Sequence, residues 1–178
     1  MGVVIVTGVP GVGKSTVMNA AQDYGYKIVN FGSTMFEEAQ KEGVENRDDM
    51  RKLPIEKQQS LQKQAGERIS QMGDVVVDTH ASILTPSGYM PGLPEWTISA
   101  LKPNIIVLVE ATAQEIAGRR SKDPSRMRDA DDIDMHQKVN RDYAETAASI
   151  VGATVSIVEN HDNQIEIAVE QFRKVLSK

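Results

Sequence analysis

The chain is organised around a run near its amino terminus that reads Val3-Val4-Ile5-Val6-Thr7-Gly8-Val9-Pro10-Gly11-Val12-Gly13-Lys14-Ser15-Thr16. Its first five residues form a β-branched run, which is typical of a strand buried on both faces of a parallel sheet. A glycine-rich turn and the start of a helix follow, and together they fit the pattern G-x-x-x-x-G-K-[ST]. The glycines let successive backbone N–H groups point inward, beside the positive end of the helix.

This pattern predicts a nucleoside triphosphate site. Lys14 can reach the β- and γ-phosphates, and the Ser15 hydroxyl can ligate Mg²⁺. The predicted donor-binding residues are Gly8, Val9, Pro10, Gly11, Val12, Gly13, Lys14, Ser15 and Thr16.

Composition is that of an ordinary single-domain protein. The chain has 178 residues, of which 40% are hydrophobic and 25% charged. A net charge of −5 argues against a nucleic-acid partner, and the lack of cysteine excludes disulfides and a cysteine nucleophile. No apolar run approaches the roughly 18 residues of a membrane span, and the amino terminus lacks the basic region of a signal peptide. We therefore expect a cytoplasmic protein with no membrane partner.

Apolar runs predict five strands, and helical patterns separate them. The strands are expected at Val3–Thr7, Tyr26–Asn30, Asp74–Asp78, Asn104–Val109 and Ala153–Val158. Strands that alternate with helices indicate a three-layer α/β fold with a mainly parallel sheet covered on both faces. The first helix is expected from Lys14 to about Asp23. Residues 31–72 contain no strand-like run, and two helices, one starting near Ser33 or Thr34 and one after Pro54, are expected to form a helical insert.

Two segments are predicted to be loops. Thr79–Glu95 carries three prolines and two glycines, and it follows a strand at the carboxyl end of the sheet, where long loops are usually functional. Residues 122–131 are rich in charge. Such a segment can close over a nucleotide and exclude water.

Arginines are concentrated in one part of the second half of the chain. Phosphoryl transfer depends on cations around the transferring group, and arginine binds phosphate through two N–H groups at once. We expect the cluster to stabilise the transferring phosphoryl group, with a solvated basic face as the alternative. The candidate catalytic residues are Lys14, Arg119, Arg120, Arg126, Arg128 and Arg141.

Three further residues are open to two interpretations each. Asp78 ends an apolar strand, where it would either hold Mg²⁺ together with Ser15 or cap the following loop. His80 would either contact an acceptor or pack within its loop. Arg51 would either bind an acceptor phosphate or remain a solvated surface residue.

Several short runs follow one another along nearly the whole chain. They are Gly8–Ser15, Val29-Asn30-Phe31-Gly32, Arg47–Leu53, Asp78-Thr79-His80, Thr85–Pro94, Arg119-Arg120, Arg126–Asp129, His136-Gln137, Asn140-Arg141 and Gly152–Val155. Their order resembles that of the nucleoside monophosphate kinases, and more closely that of the archaeal-type adenylate kinases.

The resemblance implies reversible, Mg²⁺-dependent transfer between nucleotides, ATP + AMP = 2 ADP, with ATP as donor, and it implies a homotrimer. It also implies a P-loop kinase fold in which a core (1–30, 73–121 and 132–178) carries an acceptor-binding insert (31–72) and a short lid (122–131). By this resemblance, AMP is surrounded by Asn30, Phe31, Gly32, Met35, Arg51, Asp78, Thr79 and His80.

The acceptor region departs from the bacterial and eukaryotic pattern. Those enzymes place an arginine soon after a Gly-Asp-Met/Leu turn, whereas Ser33-Thr34-Met35 is followed by Phe36 here. The AMP phosphate therefore needs an arginine from elsewhere in the chain.

Two other functions are compatible with a phosphate loop. One is a kinase for another nucleotide or for a small hydroxylated acceptor. A hydroxyl acceptor would need a general base such as Asp78, and fewer arginines because it lacks a second phosphate. A GTPase-like switch would carry Asn-Lys-x-Asp and Asp-x-x-Gly, and neither occurs in the sequence. The sequence therefore favours a kinase over a switch.

Overall fold

Parallel strands form the centre of the molecule. The computed structural model describes residues 2–122 and 132–177. The strands are β1 (Val3–Thr7), β2 (Lys27–Asn30), β3 (Val75–Asp78), β4 (Ser82–Thr85), β5 (Gly88–Pro91), β6 (Ile105–Glu110) and β7 (Thr154–Glu159). Five of them form an all-parallel sheet in the order β2-β3-β1-β6-β7. This confirms the predicted sheet, with the strand of the phosphate loop in its centre.

Helices cover both faces of the sheet. They are α1 (Lys14–Met18), α2 (Phe31–Lys41), α3 (Ile55–Ser70), α4 (Glu95–Leu101), α5 (Ala113–Ser121), α6 (Ile133–Val151) and α7 (Ile165–Leu176). Two 3₁₀ helices, Asn19–Tyr24 and Arg47–Lys52, accompany them. In the described ranges no helix has the length and apolar character needed to cross a membrane.

Alternate residues of β1 face opposite layers of the fold. Val4 and Val6 pack with α1 and α7, where Phe172 is fully buried. Val3 and Ile5 pack with α3, α4 and α6 on the other face. Because β1 is buried on both faces, the turn that follows it leaves the sheet from a fixed position.

Two helix boundaries differ from the predicted ones. The first α-helix ends at Met18, and the rest of its predicted length is the first 3₁₀ helix, which stops at Gly25 in the left-handed conformation (φ 77°). Helix α2 begins at Phe31 instead of near Ser33, because the Asn30 side chain accepts a 3.0 Å hydrogen bond from the Ser33 N–H and caps the helix there.

The segment between β2 and β3 is helical, as predicted. It consists of α2, the second 3₁₀ helix and α3, and its own small core contains Ala39, Met50 and Leu61. The buried Glu38 carboxylate accepts hydrogen bonds from Lys41 and from Arg68, at 2.7 and 2.9 Å. The bond from Lys41, followed by that from Arg68, holds the pKa of Glu38 below its ordinary value, and the three side chains join α2 to α3.

One loop prediction was wrong, because residues 79–95 contain a hairpin. Strands β4 and β5 pair in antiparallel fashion, with Ile83 opposite Met90. The Thr85 hydroxyl donates a 2.7 Å hydrogen bond to the Gly88 carbonyl across the turn. The prolines and glycines obscured the strands, although apolar cross-strand pairs on either side of a short turn stabilise a hairpin.

Candidate active site

The turn between β1 and α1 has the shape of a phosphate cradle. Gly11 and Gly13 have φ angles of 89° and 90°, which glycine adopts without strain. A Cβ atom at Gly8 would lie 2.6 Å from a backbone carbonyl oxygen of β6. The side chains of Val9 and Val12 are buried and anchor the loop to the core. The sequence pattern thus has the strand–turn–helix context that phosphate binding requires.

Three side chains donate hydrogen bonds to carbonyl groups of this loop. Arg120 Nε donates a 2.8 Å hydrogen bond to the Pro10 carbonyl oxygen. Asn160 Nδ2 and Arg119 Nη1 both donate to the Val12 carbonyl oxygen, at 2.8 and 3.1 Å. The sequence placed the two arginines around the transferring phosphate, and the structure places these nitrogen atoms against the loop backbone.

Arg119 also holds the loop between β7 and α7. Arg119 Nη2 donates to the Asn160 carbonyl oxygen and to Asp162 Oδ1, both at 2.7 Å. Glu115, one turn earlier on α5, accepts the Asp162 N–H at 2.8 Å and contacts His161 Nδ1 at 3.0 Å. These hydrogen bonds, the one from Asp162 foremost, hold the pKa of Glu115 well below its usual range. Helix α5, the phosphate loop and the β7–α7 loop therefore form one connected unit.

Lys14 extends from the phosphate loop to the end of β3. Its Nζ lies 2.8 Å from Asp78 Oδ1 and donates a 2.9 Å hydrogen bond to the Thr79 carbonyl oxygen. The Lys14 and Asp78 side chains are only 12% and 24% exposed, so their attraction is screened less than on an open surface. Asn30 Nδ2 donates to the other Asp78 oxygen at 3.2 Å. The structure thus brings these four predicted site residues together.

The first turn of α2 adjoins this cluster. Asn30 caps the helix, Phe31 is 6% exposed with its side chain in the core, and Met35 is partly buried beside two core clusters. A Cβ atom at Gly32 would lie 2.5 Å from Arg47 Nη2. The glycine therefore leaves room for the Arg47 guanidinium over the start of the helix. A ligand here would contact the Asn30 side chain and the backbone of Gly32, whereas the Phe31 side chain is buried by packing in the core.

Buried hydrogen bonds join α6 and the hairpin to the end of β1. Asn140 Oδ1 accepts from the Ser82 hydroxyl at 3.1 Å and from the Thr7 hydroxyl at 3.4 Å. The Thr7 oxygen in turn accepts the Ala81 N–H at 2.8 Å. This network fixes the segment that contains Thr79 and His80 relative to the phosphate loop.

His80 is exposed and follows Thr79 at the end of β3. Desolvation by the surrounding atoms lowers the pKa of His80 to about 4; the charge of Lys14 acts in the same direction, and that of Asp78 opposes it. His80 is therefore neutral at pH 7 and offers a ligand a hydrogen bond without a cation.

The remaining predicted residues lie farther out or outside the described ranges. Arg51 is exposed on the second 3₁₀ helix. Arg141 on α6 pairs with Glu110 at the end of β6, with 3.1 Å between Nε and Oε1, and the bond to that carboxylate raises the pKa of Arg141. Arg126 and Arg128 belong to the segment 123–131, outside the described residues.

The Ser15 hydroxyl and the Asp78 carboxylate are suited to magnesium. Residues 2–122 and 132–177 contain no group of three or more His, Cys, Asp or Glu side chains that could hold a metal ion. Ser15 is exposed in the first turn of α1, and Asp78 ends β3. Mg²⁺ at phosphoryl-transfer sites takes only one or two protein oxygens, with phosphates and water as the other ligands. A hydroxyl and a carboxylate fit that requirement.

Several residues that support the phosphate loop were not predicted from the sequence. Asn160 and Asp162 belong to no periodic pattern. Asn160 donates a hydrogen bond to the Val12 carbonyl, and the two residues are 148 positions apart in the sequence. Thr112 and Glu115 do carry a signal, because Thr-x-x-Glu before a helix is a capping box, and the structure forms one there.

Comparisons with known proteins first define a class. A family model described as "AAA domain" matches residues 7–137. A shikimate kinase from Bacteroides thetaiotaomicron aligns over 99% of this chain and 98% of its own, with a TM-score of 0.59 and 12% identity. A gluconokinase from Sinorhizobium meliloti 1021 aligns over 99% and 91%, with a TM-score of 0.55 and 17% identity. The fold and the loop are those of the P-loop kinases.

Relatives in sequence define the family within this class. Adenylate kinases from Methanopyrus kandleri and Methanocaldococcus jannaschii are each 50% identical to this chain; the alignments cover 96% and 98% of it, and 95% and 97% of the relatives. The adenylate kinase of Methanothermobacter thermautotrophicus is 46% identical over 99% of this chain and 100% of its own. The chain belongs to the adenylate kinase family, which confirms the resemblance found in the sequence.

Proposed function

We propose that this protein transfers the γ-phosphoryl group of ATP reversibly to AMP, forming two ADP with Mg²⁺, and so balances the adenine nucleotides. Its similarity to proteins named adenylate kinase over nearly the full chain supports the proposal. The structural observation that carries it is the position of Lys14, whose ammonium group lies between the phosphate loop and the Asp78–Thr79 segment beside the helical insert. A cation at this junction attracts phosphate from the donor side and from the acceptor side.

The chemistry requires positioning more than covalent help. The AMP phosphate oxygen is already anionic at neutral pH, so it attacks the γ-phosphorus in line without a general base. The loop amides and Lys14 hold the donor phosphates, while Ser15 and Asp78 would hold Mg²⁺. When bound, Mg²⁺ neutralises charge on the β- and γ-phosphates. The protein thus lowers the barrier by alignment and by placing cations where charge develops.

Arginines supply the remaining positive charge in this proposal. Arg141, Arg126 and Arg128 are the candidates for stabilising the transferring phosphoryl group. Arg141 would have to exchange its Glu110 partner for phosphate, since the two side chains are paired in the structure. Arg119 and Arg120 are outside this set, because both donate hydrogen bonds to carbonyl groups of the phosphate loop.

The acceptor would lie between the helical insert and the end of β3. In this proposal Asn30, Gly32 and the segment from Asp78 to His80 would contact AMP, together with Met35. The His80 ring would offer a hydrogen bond to the monophosphate, and Lys14 would supply the positive charge. Arg51 on the insert is the proposed arginine for the AMP phosphate.

A cytoplasmic homotrimer is part of the proposal. The hairpin exposes the apolar side chains of Ile83 and Met90, at 43% and 47%, and such side chains are a common basis of subunit contacts. Light scattering coupled to size exclusion should give the mass of three chains. Replacing both residues by glutamate should give the mass of one, and an unchanged mass would exclude the hairpin from the interface.

The test of the activity needs no assumption about an acceptor. Purified protein incubated with ADP and Mg²⁺ alone should form ATP and AMP in equal amounts. Lys14→Ala should abolish the reaction, whereas Lys174→Ala, which removes a lysine exposed on α7, should not. Intact ADP in the presence of folded protein would refute the proposal. ATP supplied with a panel of monophosphates and small alcohols would then identify the acceptor.

A further inference from the structure

We infer that Arg120 and Asn160 are positioning residues, which orient two peptide planes of the phosphate loop so that the N–H groups of Gly11 and Gly13 face the bound phosphates. Neither side chain needs to touch the nucleotide for this role. The inference rests on the proposed nucleotide site, but it does not depend on which acceptor the protein uses.

The first plane is the peptide between Pro10 and Gly11. In a trans peptide the carbonyl group and the N–H group point in opposite directions. Arg120 Nε holds the Pro10 carbonyl on the outer side of the loop with a 2.8 Å hydrogen bond. The Gly11 N–H is therefore turned toward the inner side, where the phosphates bind.

The second plane is the peptide between Val12 and Gly13, and it repeats the arrangement. The Val12 carbonyl accepts hydrogen bonds from Asn160 Nδ2 at 2.8 Å and from Arg119 Nη1 at 3.1 Å. Two donors on one carbonyl fix the plane, and the Gly13 N–H is turned inward. Two inward N–H groups from alternate residues make the kind of concave anion site that backbone amides form.

The two glycines are matched to these two donors in space. A Cβ atom at Gly11 would lie 3.0 Å from Arg120 Cγ, and one at Gly13 would lie 2.4 Å from Asn160 Nδ2. Each donor thus occupies the volume that a side chain at the glycine would need. Glycine is needed at these positions for two reasons: it adopts the positive φ angle without strain, and it has no Cβ atom to block the approach of the donor.

Both donors are themselves buried and held. Arg120 and Asn160 are 7% and 6% exposed, so water is a poor substitute if either donor is lost. The Asn160 backbone is fixed from both sides: its N–H donates to the Glu110 carbonyl at 2.8 Å, and its carbonyl accepts from Arg119 at 2.7 Å. Asn160 is therefore a rigid support at the end of β7.

Variants of Arg120 separate this role from direct action on a phosphate. Glutamine carries an N–H donor on its Cδ, as arginine does, but has no charge, whereas methionine has a similar length and no donor. If Arg120 orients the loop, Arg120→Gln keeps the function and Arg120→Met loses it. If its charge acts on the phosphate, both variants lose it.

The measurement is the dissociation constant of inorganic tripolyphosphate by calorimetry, because this probe has neither base nor acceptor. Arg120→Met and Asn160→Ala should bind about tenfold more weakly, as expected if the binding-competent loop falls to about a tenth of the population. Arg120→Gln should stay within about threefold of wild type. Gln171→Ala on α7 is the matched control: it removes an amide that accepts the Glu159 N–H and does not bond the phosphate loop, so it should bind like wild type.

Two results would overturn the inference, once circular dichroism shows folded variants. One is wild-type affinity in both Arg120→Met and Asn160→Ala, and the other is an equal loss in Arg120→Gln and Arg120→Met. Either Arg120→Met or Asn160→Ala suffices to test the loop if the other fails to fold. A protein that leaves ADP intact yet shows the expected affinities would refute the proposed reaction and support the inference.

Discussion

Replacing Gly13 by alanine tests how much the loop conformation depends on the contact with Asn160. The matched control is Gly25→Ala, because the two glycines have similar φ angles, 90° and 77°, but different surroundings. A Cβ atom at Gly25 meets nothing within 4 Å, whereas one at Gly13 lies 2.4 Å from Asn160 Nδ2. The control therefore isolates the strain of the left-handed conformation, and Gly13→Ala adds the loss of the Asn160 hydrogen bond.

The expected free energies follow from these two contributions. A left-handed alanine costs about 1–2 kcal/mol, so Gly25→Ala should lower the free energy of unfolding by that amount. Displacing the buried Asn160 side chain separates its Nδ2 donor from the Val12 carbonyl, which costs about 1–3 kcal/mol, so Gly13→Ala should lose about 2–5 kcal/mol in total.

Urea unfolding followed by circular dichroism gives both values, and conversion of ADP gives the activity. Gly25→Ala should keep the wild-type kcat, because Gly25 is remote from the phosphates, whereas Gly13→Ala should lose at least about a hundredfold, since the loop amides are displaced. Equal destabilisation of the two variants would refute the role assigned to the Asn160 contact. Full activity in Gly13→Ala would refute the role of the loop.

Three further predictions concern the strand ends and the arginines. Thr7→Val removes the acceptor of the buried Ala81 N–H and should lower the free energy of unfolding by about 1–3 kcal/mol. The control Thr146→Val, on the exposed side of α6, should change this free energy by less than about 0.5 kcal/mol. Equal effects of the two variants in urea unfolding would contradict the prediction. The folded-state pKa of His80 is about 4, below its unfolded value near 6.5, so the unfolded chain binds more protons between these pH values and the free energy of unfolding should fall as the pH drops from 6.5 to 4. His80→Gln should flatten this pH dependence in thermal melts. An unchanged pH dependence would exclude His80 as its cause. Arg128→Ala should lower kcat by about 10³ in steady-state assays with the fold intact, against little change for Arg173→Ala on the surface of α7; a loss below about tenfold would remove Arg128 from the catalytic set.

The central part of the fold could be predicted because local sequence determines it. A β-branched run followed by Gly-x-x-x-x-Gly-Lys-Ser specifies strand, turn and helix within a few residues, and the structure confirms each of them. The five strands and the helical insert were likewise visible as apolar runs and periodic stripes. The hairpin was missed because its strands are only four residues each and surround a Pro-Ser turn.

The support of the site could not be predicted, because it depends on contacts between distant residues. No local pattern marks Asn160, whose role appears only when β7 is placed beside β6. The arginine pair on α5 was recognised as important from its charge. Its contacts with the Pro10 and Val12 carbonyls depend on how the helix packs against the loop, which composition does not reveal.

Asp78 connects the two halves of the site through a single carboxylate. One of its oxygens faces Lys14 of the phosphate loop, and the other accepts from Asn30, the residue that caps the first helix of the insert. A donor that draws Lys14 toward its own phosphates changes the charge that Asn30 experiences, and an acceptor that engages Asn30 changes the partner left to Lys14. Thermodynamic linkage requires such a coupling to be equal in both directions, so each nucleotide would alter the affinity of the other by the same factor whichever arrives first.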